Sequence, residues 1–162
     1  MLYLLMGCPG AGKSTWILNH TNPATDDVII SRDAIRFGML GDSEDYFSHE
    51  KQVFEEYVKQ IKIALNEGKT VFADATHLTP GSRKKTLCGV GDILKFHDVG
   101  VIWIKEDLET CLKRNEQRDG RALVPREQVE KMYRSIVAPK WEEGFNKIFI
   151  VEKGKIKEIV KA

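Results

Sequence analysis

Near the start of the chain, Gly7-Cys8-Pro9-Gly10-Ala11-Gly12-Lys13-Ser14 carries the spacing G-x-x-x-x-G-K-S. The chemistry of such a run is anion binding. Glycines let successive backbone N–H groups turn inward around phosphate oxygens. Lys13 can reach the outer phosphates, and the Ser14 hydroxyl can ligate Mg²⁺, with Thr15 as a polar neighbour. The competing explanation is a chance glycine-rich turn, and the flanks decide against it. Apolar Leu2–Met6 reads as a strand ahead of the run, and the residues from Ser14 to Leu18 read as a helix behind it. A phosphate cradle requires that strand–loop–helix order, so the residues from Gly7 to Thr15 are expected to bind a nucleoside triphosphate.

Three further segments carry chemistry. Ser31-Arg32-Asp33-Ala34-Ile35-Arg36 follows a second apolar run and opens a helix. Ligands of parallel sheets gather at the carboxyl ends of strands, which turns this segment toward the phosphates. Asp33 and Arg36, three apart, share a helix face. The carboxylate can take a proton from an attacking hydroxyl, and the guanidinium can grip a phosphate on the acceptor. Equally, Asp33 can cap the helix with Arg36 paired to it. Further on, Asp74 ends the strand Thr70–Ala73, where P-loop enzymes keep an acid for the Mg²⁺ shell. Thr76 and His77 follow as candidate acceptor contacts, although a lone loop histidine more often serves as hydrogen-bonding filler. The short basic run from Gly81 to Lys85 reads as a solvated helix start.

The last segment runs from Lys113 to Arg126 and holds five basic residues against two acids. Arg114 and Arg118 lie on one helix face, and Arg121 follows a turn at Asp119-Gly120. Such a stretch suits a lid whose arginines spread charge from a transferring phosphoryl group and exclude water. A solvated basic helix is the simpler alternative.

The elements that must position these residues alternate between strand and helix, which argues for α/β with a mainly parallel sheet. Strands are expected at Leu2–Met6, Val28–Ile30, Thr70–Ala73, part of the stretch from Lys95 to Ile104, and from Lys147 to Val151. The longest helix is expected from about Ser43 to Glu67, where Phe54, Tyr57, Val58, Ile61, Ala64 and Leu65 recur at helical spacing before Gly68. Others are expected over about 108–118 and from Pro125 to about Ala138. The tail reads as a hairpin turning near Lys153-Gly154. No linker or repeat interrupts the chain, and one domain over residues 1–162 is expected.

In order and spacing, the four segments resemble the kinase domain of the bacteriophage-type polynucleotide 5′-hydroxyl kinases. The P-loop through Trp16, Arg32-Asp33-x-x-Arg36, Thr76-x-Leu78-x-Pro80, and Lys113-Arg114-Asn115-x-x-Arg118 with Val124-Pro125 carry the likeness, over most of residues 2–137. The resemblance implies a P-loop NTPase/kinase fold with an Arg-rich lid, and ATP and Mg²⁺ as donor and metal. It makes Asp33 the general base toward a 5′-OH and sets Arg36 on the acceptor's 3′-phosphate. It also implies donor contacts from Lys13, Ser14 and Arg118, with Arg114 and Arg121 supporting the lid. The family's third motif has an acid directly before its Thr, where this chain has Ala75; its acid, Asp74, lies one place earlier. The family's phosphatase domain has no counterpart in these 162 residues, so 3′-end processing is expected elsewhere.

A net charge of +1 gives no global field for nucleic acid or membranes, so anion recognition must be local. Three cysteines, Cys8, Cys88 and Cys111, include no C-x-x-C pair and point to a reducing compartment. Cys8 lies where a helix start can acidify a thiol, or is simply a small residue that fits the loop. No apolar run approaches a membrane span, and the first strand lacks a signal-peptide pattern. Cytoplasm is expected, or host cytoplasm for a phage-encoded chain, with a DNA or RNA 5′-OH end as partner. Two other readings stay open: a small-molecule kinase for a nucleoside, sugar or nucleotide sugar, and a nucleotide-binding regulatory ATPase. A GTPase is disfavoured, because Asn146-Lys147 lacks the N-K-x-D aspartate and no D-x-x-G switch occurs.

Overall fold

A computed structural model describes residues 1–22 and 24–161; Pro23 and Ala162, the end of the expected domain span, lie outside the described residues. Among the described residues six strands form one sheet: β1 (Leu2–Met6), β2 (Asp27–Ser31), β3 (Thr70–Asp74), β4 (Val99–Lys105), β5 (Lys147–Glu152) and β6 (Lys155–Ile159). Their order is β2-β3-β1-β4-β5-β6. The first four pairings are parallel and the last is antiparallel. The β5–β6 hairpin turns on Lys153 (φ 49°) and Gly154 (φ 73°), two left-handed residues whose twist suits a two-residue connection.

Among the described residues six α-helices connect and cover the strands: α1 (Lys13–His20), α2 (Arg32–Met39), α3 (Glu50–Asn66), α4 (Pro80–Val90), α5 (Leu108–Glu116) and α6 (Arg126–Arg134). Because β1 is central, side chains on both of its faces are buried, which explains its unbroken apolar run. On one face Leu2, Leu4 and Met6 pack with Tyr57, Ile61 and Leu65 of α3. On the other Leu5 packs with Ile17 of α1, Cys111 and Leu112 of α5, and Val129 of α6. Each large apolar side chain so buried contributes roughly 1.5–3 kcal/mol. These two cores fix the carboxyl ends of β1, β2 and β3 side by side, with Ser31 in register with Asp74.

Three helix limits differ from expectation, each for a local reason. α3 starts at Glu50 rather than Ser43. Upstream, the Glu44 carboxylate accepts from the Gly41 backbone N–H at 2.7 Å, and the Ser48 hydroxyl donates to the Asp45 carbonyl at 2.7 Å. Such local bonds compete with helical ones. α5 stops at Glu116. There the buried Asn115 side chain donates to the Val124 carbonyl at 2.7 Å and accepts from its N–H at 3.1 Å, drawing the chain back. α6 takes Pro125 as its N-cap and ends at Arg134, because the Val137 N–H leaves the helix for the Leu78 carbonyl at 3.0 Å. Among the described residues no helix is long and apolar enough to cross a membrane.

Candidate active site

The loop after β1 is shaped as an anion cradle. Gly10 (φ 82°) and Gly12 (φ 96°) adopt left-handed backbone. At Gly10 a side chain is excluded twice over, since a Cβ would lie 2.2 Å from the Cys111 carbonyl oxygen of α5. The N-termini of α2, α4 and α5 are capped by the side chains of Ser31, Thr79 and Asp107. α1 begins at Gly12 with no side-chain cap and no acid in its first turn. Its first N–H groups and the positive end of its dipole are thus left for an anion. Lys13 Nζ donates to the carbonyls of Gly7 (2.8 Å) and Cys8 (3.3 Å) and so arches over the loop. The Cys8 thiol is buried against Cys111 and points to the Val129 carbonyl (3.7 Å). The neighbouring Cys111 and burial raise its pKa, the opposite of an acidified thiol.

Asp74 lies at the carboxyl end of β3, and the Ser14 hydroxyl donates to its Oδ2 at 3.4 Å. Burial raises the Asp74 pKa and the Lys13 charge opposes that shift; burial lowers Lys13 in turn, and Asp74 opposes it. The two groups therefore support each other's charged forms. Among the described residues no cluster of three metal-ligating His, Cys, Asp or Glu side chains occurs. One carboxylate beside one hydroxyl still fits Mg²⁺, which takes most of its shell from phosphate oxygens and water. Ser14 and Asp74 would hold it.

The segment after β2 forms a tight charged cluster. Ser31, not Asp33, caps α2 by accepting from the Ala34 N–H at 3.2 Å. The guanidinium of Arg36, 5% exposed, donates to Asp33 Oδ1 and to Glu50 Oε1 at 2.6 Å. It also meets the Tyr46 hydroxyl at 2.7 Å and lies over the Tyr46 ring. Arg32 pairs with the other Glu50 oxygen at 2.9 Å and covers Phe54. Two arginines thus face two carboxylates, and Asp33 remains largely exposed, with 61% of its side chain accessible. Glu50 and Tyr46 were missed by sequence reasoning. Their partners lie 10 to 18 residues away, beyond any helical spacing.

Two expectations are corrected nearby. His77 is no loop contact for an acceptor. It is 3% exposed, with Nδ1 on the Leu5 carbonyl (2.7 Å) and Nε2 on the Thr86 hydroxyl (3.1 Å). A carbonyl only accepts, so Nδ1 carries the proton. Thr76 is partly buried and gives its carbonyl to the Gly7 N–H at 3.0 Å, tying the β3 loop to the P-loop. Arg83, within the run read as a solvated helix start, is fully buried. Its Nε and Nη2 grip both Glu143 oxygens at 2.7 and 2.8 Å, while Nη1 donates to the His77 and Val137 carbonyls.

Burial pushes the His77 imidazole down to about 4, and the charges of Arg32, Arg83 and Lys13 act the same way. Since the unfolded value is about 6.5, the unfolded chain binds more protons between those limits. The stability contributed by neutral His77 is complete above that window and is lost as pH falls through it. Urea unfolding should therefore show roughly 2 kcal/mol less stability at pH 5 than at pH 7. His77→Gln should flatten that slope; an unchanged slope would assign it to other groups.

The last turn of α5 and the basic segment after it approach the cradle from the other side. Arg114 Nη1 reaches the Ala11 carbonyl at 3.4 Å and Glu106 at 3.3 Å. Arg118 is partly buried, and its charge acts on both Lys13 and Asp74. Arg121 crosses to the opposite wall, where Nη2 donates to the Gly41 carbonyl at 2.5 Å.

A family model described as an AAA domain matches residues 2–139. The chain belongs to that family. Several solved structures share the fold of this AAA-domain protein. A chain of the Pnkp1/Rnl/Hen1 RNA repair complex superposes with a TM-score of 0.64 at 23% identity, over 83% of this chain and 43% of that one. The AAA-domain protein thus spans less than half of that relative's length. A fungal RNA kinase superposes at 0.62 with 11% identity, over 93% and 74%. Deoxyadenosine kinase from M. mycoides with bound dATP gives 0.53 at 19% identity, over 94% and 91%. At these identities the likeness is one of fold.

Proposed function

We propose that this AAA-domain protein is an ATP- and Mg²⁺-dependent kinase that phosphorylates the 5′-hydroxyl end of a polynucleotide, DNA or RNA. The observation that carries the reading is Asp33: an exposed carboxylate, clamped by buried Arg36, on the segment directly after the strand that ends beside Asp74. An accessible carboxylate at that end of the sheet supports the role of general base. ATP is the phosphoryl donor, and Ser14 and Asp74 would hold a Mg²⁺ ion that would offset charge on its phosphates. Asp33 accepts the proton of the attacking hydroxyl. Arg36 holds the carboxylate in one orientation. Lys13 neutralises charge on the outer phosphates, with Arg118, Arg114 and Arg121 closing over them as a lid. Positioning and charge stabilisation dominate such transfers. A contact from Arg36 to the acceptor's 3′-phosphate belongs to this proposal and requires the guanidinium to exchange a carboxylate for that phosphate.

A second reading, a kinase for a nucleoside, sugar or nucleotide sugar, is favoured by that same engagement. With Asp33 and Glu50 already on Arg36, the cluster has no surplus positive charge, which suits an acceptor without a phosphate. Incubation with γ-labelled ATP and a panel of 5′-OH DNA, 5′-OH RNA, nucleosides and sugars separates the two. Label in the 5′ ends supports the first reading. Label confined to small molecules sinks it.

A further inference from the structure

Most exposed large apolar residues lie singly, such as Leu18 on α1, Phe96 before β4 and Val160 at the tail, and need no explanation. One group is different. Phe37 (38% exposed), Met39 (37%) and Phe47 (64%) come from α2 and the loop that follows it. Tyr46 joins them into one aromatic surface, its ring 6.0 Å from Phe37 and 4.8 Å from Phe47, edge to face in both pairs. The same Tyr46 donates its hydroxyl to Asp33 Oδ1 at 2.9 Å. An open aromatic wall is therefore fastened to the carboxylate that receives the acceptor hydroxyl.

We propose that Phe37, Tyr46 and Phe47 form a stacking surface for the terminal nucleobase of the acceptor; this rests on the polynucleotide reading and deepens it. Charge selects the occupant. Asp42, Glu44 and Asp45 are exposed on the same loop and repel a phosphate backbone. A neutral base with a π-face is the part of a nucleotide that fits an aromatic wall rimmed by acids. Stacking is tolerant of base identity, so the surface reads the presence of a base, not its sequence. The Tyr46 hydroxyl holds the place on Asp33 that the acceptor hydroxyl takes, so the phenol releases the carboxylate as the base docks against its ring.

The test compares two oligonucleotides with the full chain and ATP, identical except that one carries an abasic residue at its 5′-OH end. Stacking on one aromatic is worth roughly 5- to 150-fold in affinity. The abasic end is expected to show an acceptor KM raised at least about tenfold, with the change in KM rather than kcat. Phe47→Ala should raise KM for the natural end by a similar factor and leave the abasic end where it was. Phe47→Trp, which restores a ring, should restore the difference. Phe47 is mostly exposed, so its loss opens no core cavity. Equal KM values for the two ends in the wild-type protein would overturn the stacking surface while leaving the kinase reading intact. So would discrimination that survives both Phe47→Ala and Phe37→Ala. Absence of label from every 5′-OH end would overturn the polynucleotide reading and the stacking surface with it.

Discussion

Asp33→Asn is expected to slow phosphoryl transfer by roughly 10²- to 10⁴-fold, the range for loss of a general base, while nucleotide binding persists. The substitution is nearly isosteric. An amide oxygen can still accept from Arg36 and Tyr46, and Arg36 keeps its charged partner Glu50. Only the capacity to take a proton is lost. Single-turnover transfer at saturating ATP measures the step, and titration with a fluorescent nucleotide measures the donor site. Because the Asp33 side chain is largely exposed, the variant is expected to stay folded, and a melting curve checks it. A folded variant that transfers at the full rate would remove Asp33 from the chemistry.

Arg83→Leu is expected to destabilise the fold by about 3 kcal/mol or more, the scale for breaking a buried ion pair from one side. The Glu143 carboxylate, 17% exposed, would lose both of its short bonds, and the His77 and Val137 carbonyls would each lose a donor. For a chain of this size that corresponds to a drop in Tm of roughly 10 °C. Removing the charge on both sides, as Arg83→Leu with Glu143→Leu, should recover part of the loss, since no carboxylate is then stranded. Urea denaturation of the three proteins gives the comparison. A single-variant loss below about 1 kcal/mol would show that water reaches Glu143 and replaces the arginine.

The two predictions differ in how visible their residues are in the sequence. Asp33 stands out because it and its helix partner Arg36 are three apart, and because the glycine-rich loop marks which end of the sheet a phosphate site would occupy. The spacing puts Arg36 and Asp33 on one helix face, and the structure pairs them while giving the capping role to Ser31. What the spacing hides is Glu50, which neutralises Arg36 from the start of another helix. Arg83 is hidden more completely. It sits between Ser82 and Lys84 in a run that looks solvated, and its partner Glu143 is 60 residues away. Nothing local distinguishes it from its neighbour Lys84, which is exposed. The strands were legible because apolar runs buried on both faces leave a plain signal. Helix ends were not, because they are set by side chains such as Glu44 and Asn115 that bond to nearby or returning backbone.

The bond from Arg121 to the Gly41 carbonyl closes a circuit. From Gly41 the chain runs back through α2 and β2 to Asp74, across to Ser14 and the P-loop, through Arg114 onto α5, and out again to Arg121. That last link is a single hydrogen bond at the surface, worth about 1 kcal/mol, so the basic segment after α5 is latched to the loop after α2 weakly enough to part and close again at little cost.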